Sequence, residues 1–116
     1  MCPRAQQVAI AEACGWIKFW EPHRTDEGIG QWMWHKGKRN LSYLPDYLSD
    51  LNAMREAEET LTEVEKGVYA DFLALVVGVY DDYYEGITFS EASKLIHITA
   101  AQRAEAFLKA KGLWIV

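Results

Sequence analysis

Four groups of side chains in this chain are of types that chemistry uses. The run QWMWHKGKRN (Gln31 to Asn40) alternates Trp32 and Trp34 with polar neighbours and then supplies Lys36, Lys38 and Arg39. Indole faces beside cations can stack nucleobases, at about 1–3 kcal/mol per base, so this run is a candidate nucleotide site. The run Tyr80, Asp81, Asp82, Tyr83, Tyr84, Glu85 joins three tyrosines to three acids, which suits recognition of a basic protein surface. His23, Asp26, Glu27 and His35 are metal-ligand types close together in sequence, but they lack the short paired spacings of a zinc site, and no metal is expected. Cys2 and Cys14 are the possible thiol nucleophiles.

Each group has a plainer reading. If Trp32 and Trp34 lie on a strand, they share a face, and Trp16 and Trp20 of WIKFW join them from the neighbouring strand. Four tryptophans on one small face more often seal a core against a helix than bind a ligand. Three cations are few for a nucleic-acid footprint, which spans many phosphates, so Lys36, Lys38 and Arg39 read as a solvated turn at Gly37. Cys14 falls near a helix C-terminus, where the dipole opposes thiolate formation, and Cys2 lies at a chain end. No nucleophile elbow or phosphate loop is present, so no enzyme activity, catalytic residue or cofactor is expected.

The elements that must position these groups are legible from punctuation. Pro3 at a first helical position and Gly15 as a stop bracket a helix from Pro3 to Cys14, with Ala5, Val8, Ala9 and Ala13 as its apolar stripe. WIKFW and QWMW form a two-stranded hairpin across the loop EPHRTDEGIG, followed by an irregular connection, HKGKRNLSYLPDY. A helix begins after a Ser49 cap, with Leu51, Met54, Ala57, Glu58 and Leu61 on one side. Thr62 and Glu65 make a capping box for a third helix, whose buried face is read as Val64, Val68, Phe72, Leu75 and Val76 and which Gly78 ends. LALVV, its last turns, is expected to be the most buried segment. Thr88 and Glu91 suggest a short helix, although KLIHI within it also suits a strand. Thr99 and Gln102 cap a final helix that buries Ala100, Ala104, Phe107 and Leu108 and stops at Gly112.

Composition bounds the rest. A chain of 116 residues, half of it hydrophobic, is sized for one domain with a real core. It has no apolar run of about 20 residues and no signal-like start, so a cytoplasmic protein with reduced thiols is expected. The net charge of −5 is concentrated: residues 46–85 hold eleven acids against two bases, whereas the flanking segments are each net +2. A charge-steered partner should meet that acidic block.

Three stretches, AEACGW (residues 11–16), LPDYLSDLNAMREAEETL (44–61) and IHITAAQRAEAFLKAKGLW (96–114), resemble small phage and prophage proteins of the phage ABA sandwich family. Tyr47, Ser49 and Asp50 fall near that family's helix start, with Leu48 interposed, and residues 62–90 depart from it by reading as helix and acidic loop where more sheet belongs. The motifs are caps, turns and packing faces, so the resemblance implies fold and brings no catalytic residues.

The combined expectation is an α+β fold: one mostly helical domain with a short N-terminal antiparallel ribbon packed by helices. Its expected role is that of a non-enzymatic phage accessory protein in the host cytoplasm. It would bind a host protein or complex through Tyr80–Glu85 and the adjoining helix. In the sharper version it blocks the basic, nucleic-acid-binding surface of a host defence complex. The alternatives are a small-ligand or nucleotide binder using the tryptophan ribbon and the basic turn Lys36, Lys38 and Arg39, and a homo-oligomeric structural protein. Neither nucleic acid nor a membrane is an expected partner.

Overall fold

The computed structural model describes residues 1–22, 28–78 and 97–115. Among them are four helices and one antiparallel sheet, an α+β fold: α1 (Pro3–Ala13), β1 (Ile17–Glu21), β2 (Gln31–Lys36), β3 (Arg39–Leu41), α2 (Leu51–Glu58), α3 (Glu63–Val77) and α4 (Ala100–Ala110). The hydrophobic core forms where α4 meets α3, α1 and α2. Ile10, Met54, Phe107 and Leu108 are fully enclosed. Each such side chain contributes roughly 1.5–3 kcal/mol by leaving water.

The helix ends follow their local chemistry closely. Thr62 Oγ1 accepts from the Glu65 N–H (3.2 Å) while Glu65 Oε1 accepts from the Thr62 N–H (2.9 Å), and Thr99 and Gln102 repeat the exchange at α4. Two helices end in the same six-to-one closure. The Trp16 N–H reaches back to Ala11 O (3.0 Å) around Gly15, and the Leu113 N–H to Leu108 O (2.8 Å) around Gly112. Gly15 and Gly112 have φ of 96° and 73°, a region that suits a residue without Cβ. The first closure delivers Trp16 from the end of α1 directly into the core, where it is 4% exposed. At α2 the cap is Asp50, whose carboxylate accepts from the Asn52 N–H (2.9 Å), and not the expected Ser49: the chain turns into the helix one residue later.

The sheet has three strands in the order β1–β2–β3, one more than expected. Gly37, at φ 60°, allows a two-residue reversal that pairs Lys36 with Arg39 and Trp34 with Leu41, so what read as an irregular connection begins as a strand. Across the first hairpin, Lys18 faces Trp34 and Trp20 faces Trp32. Trp16, Lys18, Trp20, Trp32 and Trp34 thus share one face, as the alternation implied.

Two helices bury a different side from the one expected. In α1 the enclosed residues are Gln6, Ile10 and Ala11, followed by Cys14, while Val8, Ala9 and Ala13 pack only at the margin. Gln6 is tolerated inside because its amide donates to Met1 O (3.0 Å). In α3, Tyr69 and Val77 are buried and Phe72, Leu73 and Val76 are half-buried, whereas Val64, Val68 and Leu75 are 79%, 39% and 59% exposed. LALVV is therefore not the most enclosed segment. Among the described residues α4 is more enclosed, packed against three other helices.

Candidate protein-binding surfaces

The tryptophan face is divided along its length. Trp16 and Trp34 (4% and 5% exposed) enter the helical core with Leu41, whereas Trp20 and Trp32 are 51% and 55% exposed. The expectation of four sealed indoles is corrected for this outer pair. The reason is distance: the 20–32 row lies about 7 Å along the strands from the 18–34 row, at about 3.3 Å per residue. Trp20 and Trp32 meet edge to face, with centroids 5.3 Å apart, and Lys18 Nζ sits 4.9 Å from the Trp32 ring. Gly30 lies against the Trp20 indole so closely that a Cβ there would come within 2.5 Å of the ring.

This division bears on the nucleotide site. Trp34, 5% exposed, has little surface to offer a base. The Arg39 guanidinium is placed over the Trp16 ring (5.2 Å) and 3.9 Å from Glu56, which fastens β3 to α2. Lys36 is half-buried and Lys38 is exposed. Of the five residues, Trp34 is buried, Arg39 lies over Trp16 and near Glu56, and Trp32 and Lys38 are exposed, Trp32 with Lys18 against its ring.

The Tyr80–Glu85 run lies outside the described residues, as do His23, Asp26, Glu27 and the Thr88–Glu91 capping box. His35 packs edge-on against Phe19 (5.3 Å). Among the described residues no three of His, Cys, Asp and Glu converge on a point where a metal could sit. Both cysteines are free thiols, Cys2 exposed and Cys14 buried. Burial pushes the Cys14 thiol above its ordinary pKa, and the nearby Thr60 hydroxyl works against that shift. A buried thiol held protonated is a poor nucleophile. No helix among the described residues is long and apolar enough to cross a membrane.

The acidic block continues on α2 and α3 and the segments flanking them. Asp46, Asp50, Glu56, Glu59, Glu63 and Asp71 are exposed, while Glu58 and Glu65 turn inward to Arg103 and Lys111. Along the outer side of α3, Val64, Val68, Asp71 and Leu75 recur at helical spacing with Gly67 beside them. Glu63 opens the helix at the head of this stripe, and Glu59 is exposed at the end of α2 just before it in sequence. Nothing lies within 4 Å of where a Cβ on Gly67 would be. Glycine in a helix interior costs about 1 kcal/mol against alanine, and no neighbour among the described residues requires it. The result is an apolar strip with acids at its head and within it, on a locally flat helix surface.

Compared with known proteins, the chain matches no family model, no curated sequence and no solved structure.

Sequence reasoning missed this strip because two apolar stripes run along α3. One is Val64–Val68–Leu75, and the other is Tyr69–Phe72–Leu73–Val76. The signal that separates them is Asp71, which falls inside the first stripe and outside the second. An unpaired carboxylate marks the wet side of a helix.

Proposed function

We propose that this chain is a non-enzymatic binding protein that docks a protein partner on the outer side of α3 and the neighbouring acidic surface. The observation that carries the reading is the exposed Val64–Val68–Leu75 stripe with Glu59, Glu63 and Asp71 around and within it. Apolar centres with polar margins are the ordinary anatomy of protein interfaces. Isolated exposed apolar residues are common, but three in a helical row on a strongly acidic surface favour a complementary groove with basic margins. Tyr80–Glu85 follows α3 in sequence and carries the same chemistry, so the proposal includes it. A phage accessory role, including blockade of a basic nucleic-acid-binding surface on a host defence complex, accords with the acidic charge and with the motifs of α2 and α4.

The test is direct binding to purified host nucleic-acid-binding complexes, with wild-type protein, Val64→Lys/Leu75→Lys, and Asp81→Lys/Asp82→Lys/Glu85→Lys compared at low and high salt. Both variants should fold normally and weaken the interaction, with the wild-type affinity falling as salt rises. Full binding by both variants rules the surface out.

A further inference from the structure

β1 is an edge strand, with β2 on one side and no strand on the other among the described residues. Among the described residues its outward backbone groups have no ladder partner. It is also open: Ile17 is 56% exposed and Trp20 51%. Edge strands of this kind pair with other chains unless charge, proline or brevity prevents it. Here the one basic charge along the edge is Lys18.

The sequence IKFWE pairs well with itself. In an antiparallel pairing about Phe19, Lys18 faces the partner's Trp20 on one side of the sheet, Ile17 faces the partner's Glu21 on the other, and all five residues of β1 are used. Shifting the register so that Ile17 faces the partner's Phe19 sets Lys18 against the partner's Lys18. Shifting it the other way sets Phe19 against the partner's Glu21. The Phe19-centred register alone gives each Lys18 an indole neighbour without a like-charge contact. Lys18 already rests on the Trp32 ring within its own subunit (4.9 Å), so the side chain is adapted to aromatic contact.

A second feature coincides with this register. Beside β1, mostly on the sheet face of Lys18 and Trp20, is a cleft of about 530 Å³ lined by Arg4, Val8 and Glu12 of α1 and by Trp16, Ile17, Lys18 and Trp34. Opposite residues of an antiparallel pair project to the same face. The partner's Trp20, opposite Lys18, would therefore project at the mouth of that cleft, and the two-fold axis would repeat the fit.

We infer that two copies of this chain associate through β1, antiparallel about Phe19, to give a continuous six-stranded sheet in which each Trp20 seats at the other subunit's α1–β1 cleft. This surface is separate from the outer side of α3, so either assignment can fail alone.

The experiment is a sedimentation-equilibrium series reaching millimolar protein, on wild type, Lys18→Glu and Trp20→Ala, with circular dichroism as the check on folding. Wild type should approach twice 13.3 kDa. Each variant should stay folded and raise the dissociation constant about tenfold or more. A wild type that remains monomeric throughout, or folded variants that associate as tightly as wild type, overturns the inference. Register is read by oxidation in a Cys2→Ser background. Phe19→Cys places the two sulfurs opposite each other and should form an inter-subunit disulfide. Ile17→Cys leaves them about 13 Å apart and should not. Bridging at 17 without bridging at 19 overturns the pairing.

Discussion

Arg103 of α4 clasps Glu58 at the end of α2, its Nη1 donating to both carboxylate oxygens at 3.0 and 3.1 Å. The side chains are 31% and 21% exposed, so water screens the pair only in part. The contact joins residues 45 apart in sequence and holds the end of α2 on the central helix. Removing one partner leaves a poorly solvated charge, whereas removing both does not. Arg103→Met or Glu58→Leu alone should cost about 1–3 kcal/mol, and the double variant less than their sum. Urea unfolding of the four proteins measures the coupling. Simple additivity would show that the pair is a surface contact of little consequence.

Tyr69 packs beside that pair, and its hydroxyl is buried without a hydrogen-bond partner of good geometry, as is Arg103 Nε. Burial, and next the Glu58 charge, hold the phenol above its ordinary pKa. A buried hydroxyl that gains no bond costs stability on folding. Tyr69→Phe should therefore be neutral or stabilising, by up to about 1 kcal/mol, in the same unfolding assay. A loss above about 2 kcal/mol would reveal a strong hydroxyl bond to Glu58 or Arg103.

Gly67 separates stability from binding. Its site is helical, open and free of any steric need for glycine. Gly67→Ala should raise stability by about 1 kcal/mol, seen as a higher Tm. If α3 docks a partner closely at this point, the same methyl group should weaken the complex while the free protein becomes more stable. An alanine variant with higher Tm and undiminished affinity would place the partner elsewhere on the molecule.

Gly30 answers to a different constraint, the indole lying over it. A Cβ there would sit 2.5 Å from the Trp20 ring. Trp20 is half-exposed, so it can swing outward, and the cost of Gly30→Ala should stay near about 1 kcal/mol. The ring movement should break the edge-to-face contact with Trp32. Loss of the Trp–Trp exciton feature in circular dichroism, with little change in Tm, is the expected result. An unchanged feature would mean that the backbone at Gly30 moves and the ring does not.

How far the fold can be read from sequence depended on the range of the forces involved. Caps were legible because Thr62–Glu65 and Thr99–Gln102 close within one helical turn, and the Gly15 and Gly112 stops are equally local. Strand faces were legible because alternation places Trp16, Lys18, Trp20, Trp32 and Trp34 together without knowledge of the rest. The depth to which each residue is buried was not legible. Trp34 and Trp32 are two residues apart on one face, yet one is 5% and the other 55% exposed, because Trp34 joins the core cluster and Trp32 does not. The same holds for α3, where the choice between two apolar stripes is made by α4, a segment more than twenty residues away. The exposed stripe and the open β1 edge thus became visible as candidate sites only once the helices were in place.

Glu65 links the capping box of α3 to the end of α4, and so to pH. Its carboxylate accepts from the Thr62 N–H at 2.9 Å and from Lys111 Nζ at 3.0–3.1 Å. The Thr62 bond first, and then Lys111, hold its pKa below the ordinary carboxylate value of 4.5. Because the folded-state value is depressed, the ionised form is the one folding favours. The stabilisation is complete above the unfolded value and drains away as pH falls through the folded one. Glu65→Gln keeps a side-chain acceptor for Thr62 but loses the charge facing Lys111. Its stability should be lower than wild type near neutrality, and the gap should narrow as the solution is acidified below about pH 4. Chemical denaturation from pH 7 to pH 3 follows the two curves. A gap that stays constant across that range would mean that Glu65 ionisation is not coupled to folding, and that Lys111 is held by another group.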